Sequence, residues 1–245
     1  MNAANFFVII VIGIVAFLFI QTSYSQSIKE KRRKLGELLP NQKADRPFNF
    51  GEEMVWLAVR ADSSEGVAEE LGLTGRVRSG WLNAMHYVFE GGAVFVTPAF
   101  ENWVLVVGID LPTSNSKTEI NKIKLLIDRL SKQFGESQFY GTYKSCYTFA
   151  KSVDGEVVRL YSHNSNNYDF HDTGEPVAEE AGMNFPKIKP WQIDEEDQEY
   201  WERNNVTFPN KDIILQIAGK WSINPAQLRK NYKEKSTGIL GILKA

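Results

Sequence analysis

The chain has 245 residues, 43% of them hydrophobic and 24% charged, and a formal net charge of −2. That length buries a core without metals or disulfides, and the near-balanced charge argues against a broad nucleic-acid footprint. The single cysteine, Cys146, excludes an intrachain disulfide and a multi-cysteine metal site.

Residues 1–28 carry no charged side chain, and their apolar run extends from Phe6 to Ile20. With neutral residues 21–25 this run reaches the roughly 20 residues needed to cross a bilayer. Phe6, Ile10, Ile14, Phe17 and Ile20 are the expected membrane-anchoring positions. Lys29, Lys31, Arg32, Arg33 and Lys34 follow at once, a cluster that marks a cytoplasmic face. Beside a membrane those side chains meet anionic lipid headgroups at about 1 kcal/mol each. The expected placement is therefore a single-pass protein with a cytoplasmic C-terminal domain, in keeping with a lone cysteine in a reducing compartment. The alternative is an exported protein whose signal is cleaved near Ser25, since Ser23-Tyr24-Ser25-Gln26 has suitable small residues. Against cleavage, residues 1–5 lack the positive charge with which export signals start. The expected organisation is an anchor over 1–28, a basic collar and tether over 29–50, an α+β domain over 51–230 and a C-terminal tail over 231–245.

Within the domain, Met54 to Val59 is a short apolar run bounded by charges and reads as a buried strand. A short helix follows, with Ser63 as its cap and Gly72 as its stop. Residues 81–89 place Leu82, Met85 and Phe89 at helical spacing. Two strands, Ala93–Val96 and Trp103–Ile109, are expected to form an antiparallel hairpin. Ser116 and Glu119 make a capping-box pattern, and the helix it opens carries Ile120, Ile123, Ile127, Leu130 and Phe134 on one stripe up to Gly135. Three strand-like segments follow, over 137–144, 146–152 and 156–163, with Asp154-Gly155 as a hairpin signal between the last two. Their pattern suggests one covered face and one partly open. Residues 168–172 read as an edge strand, 176–180 as a helical turn, 212–221 as a helix and 225–228 as one more turn. The apolar end, Thr237 to Ala245, has no role legible in the sequence. This order of elements points to an α+β fold with a mainly antiparallel sheet and a few packed helices, preceded by one transmembrane helix.

Catalytic and metal-binding motifs are missing from this pattern. His163 and His171 flank an Asn-rich loop, but no E-x-x-H or paired cysteine supports a metal site. Cys146 opens an apolar strand, where a buried thiol is the ordinary occupant. A hydrolase of unfamiliar type using Cys146 or His163 and His171 is the alternative, because the fold could bring such residues together. The acidic tract is the more suggestive feature. Residues 194–202 hold six carboxylates, with Trp191, Tyr200 and Trp201 interleaved. Trp191, Asp194, Glu195, Glu196 and Trp201 are the expected partner-binding residues: aromatics supply affinity and negative charge steers a basic partner.

The segments Trp56-Leu57-Ala58-Val59, Val94-Phe95-Val96-Thr97-Pro98, Trp103-Val104-Leu105-Val106-Val107-Gly108, residues 134–142 (FGESQFYGT) and residues 217–225 (IAGKWSINP) together resemble an uncharacterised bacterial family. The resemblance spans most of Trp56 to Leu228 and rests on packing and turn residues, with no family active site to transfer. Members of that family typically lack the N-terminal apolar segment. Some such orphan domains serve as immunity partners of toxins, which implies a binding role by analogy. The expected function is a membrane-anchored, non-enzymatic interaction protein, immunity-like or regulatory, with a protein partner and no cofactor. N-terminal sequencing of the mature protein separates the two placements: a start at Met1 goes with retention, and a start near Gln26 with cleavage.

Overall fold

The computed structural model describes residues 43–90, 92–192 and 199–243. Nine strands form one sheet: β1 (Val55–Val59), β2 (Thr74–Gly80), β3 (Val94–Phe100), β4 (Trp103–Val107), β5 (Glu136–Gly141), β6 (Cys146–Val153), β7 (Glu156–Asn164), β8 (Asp169–Thr173) and β9 (Thr237–Ile242). Their order is β2-β9-β3-β4-β1-β5-β6-β7-β8, and every pairing is antiparallel. Six α-helices are described: α1 (Ser64–Glu70), α2 (Trp81–Glu90), α3 (Lys117–Phe134), α4 (Tyr200–Arg203), α5 (Lys211–Trp221) and α6 (Leu228–Asn231).

The sheet is covered on both faces at its centre, which explains the unbroken apolar run of β1. All five of its residues are buried, because alternate side chains point into two different cores. Val55, Leu57 and Val59 meet Val104, Val106, Phe139 and the Ile120, Ile123, Ile127 stripe of α3, together with Val67 of α1 and Leu71 just after it. Each fully buried aliphatic side chain there stabilises the fold by about 1.5–3 kcal/mol. On the other face, Trp56 stacks on Tyr140 at 5.2 Å between ring centroids, and Trp81 of α2 meets Phe95 edge-on at 5.1 Å. Trp221 at the end of α5 continues this aromatic layer onto Phe149 at 5.7 Å. The strands expected to have one open face, β6 and β7, are thus covered on both.

Local chemistry sets the ends of these elements. The Gly66 N–H donates to Ser63 Oγ and the Glu119 N–H to Ser116 Oγ, satisfying donors that a first helical turn leaves free. Only half of the expected capping box forms, because the Glu119 carboxylate accepts from the Thr113 N–H instead of reaching back to Ser116. Asp154 and Gly155 both have positive φ, 50° and 90°, as a tight hairpin requires. The β3–β4 hairpin turns in the same way on Glu101 and Asn102, with φ of 51° and 67°. The β3 strand continues through Thr97-Pro98 to Phe100, with a register irregularity between Val96 and Ala99.

Three features differ from the pattern read in the sequence. Strand β2 goes unannounced, because Thr-Gly-Arg-Val-Arg-Ser-Gly is an edge strand with three of its seven residues exposed. Helix α2 turns Trp81, Ala84, Met85 and Val88 inward, leaving Leu82 and Phe89 exposed. The apolar end of the chain forms β9, which pairs with β2 on one side and β3 on the other. Residues 43–50 also pack onto the domain: Asp45 pairs with Ser236, its carboxylate accepts from the Trp81 and Leu82 N–H groups, and Phe50 lies edge-on to Trp56.

The transmembrane helix in the expected fold class is corrected. Among the described residues no helix is long and apolar enough to cross a membrane. The longest, α3, has 18 residues, and its outer face carries Lys117, Glu119, Lys122, Lys124, Arg129 and Lys132. The fold is an antiparallel nine-stranded sheet with packed helices. Phe6, Ile10, Ile14, Phe17 and Ile20, and the basic residues Lys29 to Lys34, lie outside the described residues.

Gly238 of β9 lies where a Cβ would overlap the Val96 carbonyl oxygen and the Phe95 ring. Gly238→Ala is expected to lower unfolding free energy by about 1–3 kcal/mol through overpacking, read as a lower urea midpoint with unchanged slope.

Candidate functional site

The hairpin formed by β7 and β8, at one edge of the sheet, carries both histidines that the sequence singles out, His163 and His171. Its position rests on Arg159, the centre of a buried ion cluster. The Arg159 side chain is 1% exposed, and its Nε and Nη2 donate to the two carboxylate oxygens of Glu180, each at 2.7 Å. Nη1 donates to Asp172 of β8 and to the carbonyl oxygens of Thr173 and Gly174. Glu180 also accepts from the Val177 N–H at 3.1 Å, so both oxygens are engaged. The guanidinium lies over the rings of Phe149 and Tyr161, at 5.7 and 5.9 Å from their centroids. Hydrogen bonding and charge pairing with Glu180 and Asp172 outweigh burial and raise the Arg159 pKa further. The cluster ties the loop after β8 to the sheet, and Tyr161 Oη adds a bond to the Pro186 carbonyl at 2.9 Å. Burial is also the main reason that the Tyr161 hydroxyl titrates far above its ordinary range.

The register separates the candidate catalytic residues. Tyr147 lies opposite His163, and Cys146 lies opposite Asn164. Neighbouring residues on a strand point to opposite faces, so Cys146 and His163 do too. On the next strand Ser162 faces His171 and His163 faces Phe170, which puts the two histidines on opposite faces as well. Cys146 is buried, and burial pushes its thiol up from the ordinary value, against reactivity. Among the described residues no group of three His, Cys, Asp or Glu side chains could hold a metal ion.

His171 and Asp169 line a groove of about 320 Å³ beside Ser116 and Lys117 at the start of α3, with Lys189 on its rim. Burial is the main cause that lowers the His171 pKa, and Lys124, Lys117 and Lys189 add to it against the pull of Asp169.

His163 is 2% exposed. Its Nδ1 has no hydrogen-bond partner among the described residues, and burial lowers its pKa. The Tyr168 and Phe208 rings lie edge-on to its imidazole at 6.3 and 5.8 Å. Trp201 of α4 lies edge-on to Phe208 at 5.1 Å, with Tyr200 behind it at 5.1 Å.

The two expected contact tryptophans fall in different parts of this region. Trp201 is half-buried against Phe208, whereas Trp191 is 66% exposed and has Lys189 over its ring at 5.2 Å. Lys189 is in turn paired with Asp169, next to Tyr168 in the hairpin turn. Trp191, Tyr168 (40% exposed) and Phe208 (37% exposed) thus surround one hairpin tip, joined through Lys189, Asp169 and His163. Asp194, Glu195 and Glu196 lie outside the described residues. Sequence reading missed Tyr168, Phe208 and the Arg159–Glu180 pair. The one available signal for the pair was an arginine in line with Tyr161 and opposite an aromatic strand.

The molecule is an α+β protein whose antiparallel sheet is covered on both faces and ends in an aromatic hairpin tip. No protein-family model, no curated protein and no solved structure matches the chain.

Glu180→Ala leaves the Arg159 charge buried without its main partner. It is expected to cost about 3–5 kcal/mol of stability, measured by urea unfolding, whereas Arg159→Met with Glu180→Leu recovers most of that loss.

Proposed function

We propose that the chain acts by binding a protein partner through the aromatic tip of the β7–β8 hairpin. The observation that carries this reading is the set of exposed rings there: Trp191 and Tyr168, on a loop and hairpin held by the buried Arg159 cluster, and Phe208 beside them on the segment over His163. Large aromatics contribute most of the affinity at protein interfaces, and a rigid support lowers the entropic cost of presenting them. The acidic residues Asp194, Glu195, Glu196, Asp197 and Glu199 follow Trp191 closely in the chain, which favours a partner with a basic surface. Charge sets the encounter rate, and the rings set the residence time.

An immunity-like or regulatory role is the form of this reading that the resemblance in residues 56–228 suggests. Placement at the inner face of a membrane is supported by the uncharged segment 1–28 and the basic cluster 29–34.

The test pairs the full-length protein with the products of neighbouring reading frames and measures affinity. Trp191→Ala is expected to weaken the complex at least about tenfold, and rising salt is expected to slow association. If the Trp191→Ala, Trp201→Ala double variant retains every co-purifying protein unchanged, the reading fails.

A further inference from the structure

We infer that His163 is a proton-operated latch for the aromatic segment over it, so that acidification frees Trp201 and Phe208 for contact. The inference rests on the binding reading above and adds its regulation. The geometry has three parts. The imidazole is almost fully enclosed, its Nδ1 lacks a partner, and the cover is a short aromatic segment rather than the sheet itself. A neutral imidazole tolerates that environment, whereas an imidazolium there has lost water without gaining an anion among the described residues.

The surroundings offer the charged form little. Tyr147 of β6 and Phe170 of β8 lie directly across the strands from His163. Along the same face come Tyr161 and Arg159 of β7 and Asp172 of β8, and Arg159 and Asp172 are committed to each other. Tyr168 and Phe208 close the space from the turn and the covering segment. That segment also bears Glu199, Tyr200, Glu202 and Arg203, and the loop beside it bears Lys187 and Lys189, the latter paired with Asp169.

Two hydrogen bonds tie the cover to Asn184. The Thr207 N–H donates to the Asn184 carbonyl at 2.8 Å, and Asn184 Nδ2 donates to the Asn204 carbonyl at 2.7 Å. Helix α4 has only four residues, and Phe208 and Trp201 are already partly exposed. Such a segment can open without disturbing the sheet.

The sign follows from linkage. The closed form holds His163 neutral and lowers its pKa, whereas an open form returns it to about 6.5. Above that value both forms are neutral and closure keeps its full stability. As pH falls through it the open form takes up a proton first, so closure weakens until the closed form also titrates.

Acrylamide quenching of tryptophan fluorescence in the full-length protein reads the latch. The chain has six tryptophans, so the Trp201 signal is taken as the difference between wild type and Trp201→Phe. Between about pH 7.5 and 5, quenching of Trp201 is expected to rise at least about twofold, with a midpoint below about 6.5 and unchanged far-UV circular dichroism. His163→Phe and His163→Gln, which cannot take up the proton, are expected to abolish the rise. Flat quenching, the same rise in both variants, or simultaneous loss of circular dichroism overturns the latch. Should neither variant fold, the His163 ring proton is followed by NMR, with signals assigned through His86→Gln and His171→Gln. A midpoint at or above the ordinary histidine value then overturns it. No partner enters these measurements, so failure of the latch and failure of the binding reading are separately visible.

Discussion

A wide antiparallel sheet buried on both faces at its centre has to be covered twice, and much of this molecule follows from that requirement. Helices α1 and α3 cover one face; α2, α5 and the aromatic layer around Trp56, Tyr140, Phe149 and Trp221 cover the other. Apolar area removed from water is the dominant favourable term in folding, so the strands that touch both cores, β1 and β4, are apolar almost throughout. Strands towards the edges contribute polar residues instead. On the α3 face, Thr148, Ser162 and Ser114 satisfy one another, as do Ser131, Ser152 and Asp128. The same requirement draws in the end of the chain, because β9 occupies the place between β2 and β3.

The second cover thins out at the β7–β8 edge, and there the polar and aromatic chemistry collects. A buried arginine is tolerated only with its charge matched and its donors used, and Glu180, Asp172 and backbone carbonyls meet both conditions. This cluster adds no reactive group to the surface. Its effect is positional, since it holds the loop that continues to Lys189 and Trp191 against the sheet. The neighbouring imidazole of His163 has no comparable match, and that contrast sets the two apart physically. One buried cation is anchored by anions, whereas at the other site burial disfavours the charged form and no carboxylate among the described residues is paired with it.

Residues whose partners are near in sequence were legible from the sequence. The caps at Ser63 and Ser116, the Asp154-Gly155 turn and the isoleucine stripe of α3 each involve residues within a few positions of one another. Local hydrogen-bonding chemistry and a 3.6-residue period suffice for these. Helix α2 shows the limit. Its apolar arc is broad, with Asn83, His86 and Glu90 on the opposite face, so the spacing of Leu82, Met85 and Phe89 fits as well as the true inward set of Trp81, Ala84, Met85 and Val88. Only contact with Phe95 decides between them. Strand β2 failed for the opposite reason: an edge strand with glycines and arginines carries too few apolar residues to show a period.

Of the candidate site, the sequence by itself determined that Trp191 and Trp201 accompany an acidic tract and that Cys146 and the histidines lack any motif around them. It also determined the fold class of the domain, a mainly antiparallel sheet with packed helices. Tertiary structure alone decided that Cys146 and His163 face opposite ways, that Tyr168 and Phe208 join Trp191 at one hairpin tip, and that Arg159 is sealed by Glu180. The reason is distance along the chain. Register and burial are set by strands pairing across many residues, and no local preference encodes which face of which strand another segment will cover.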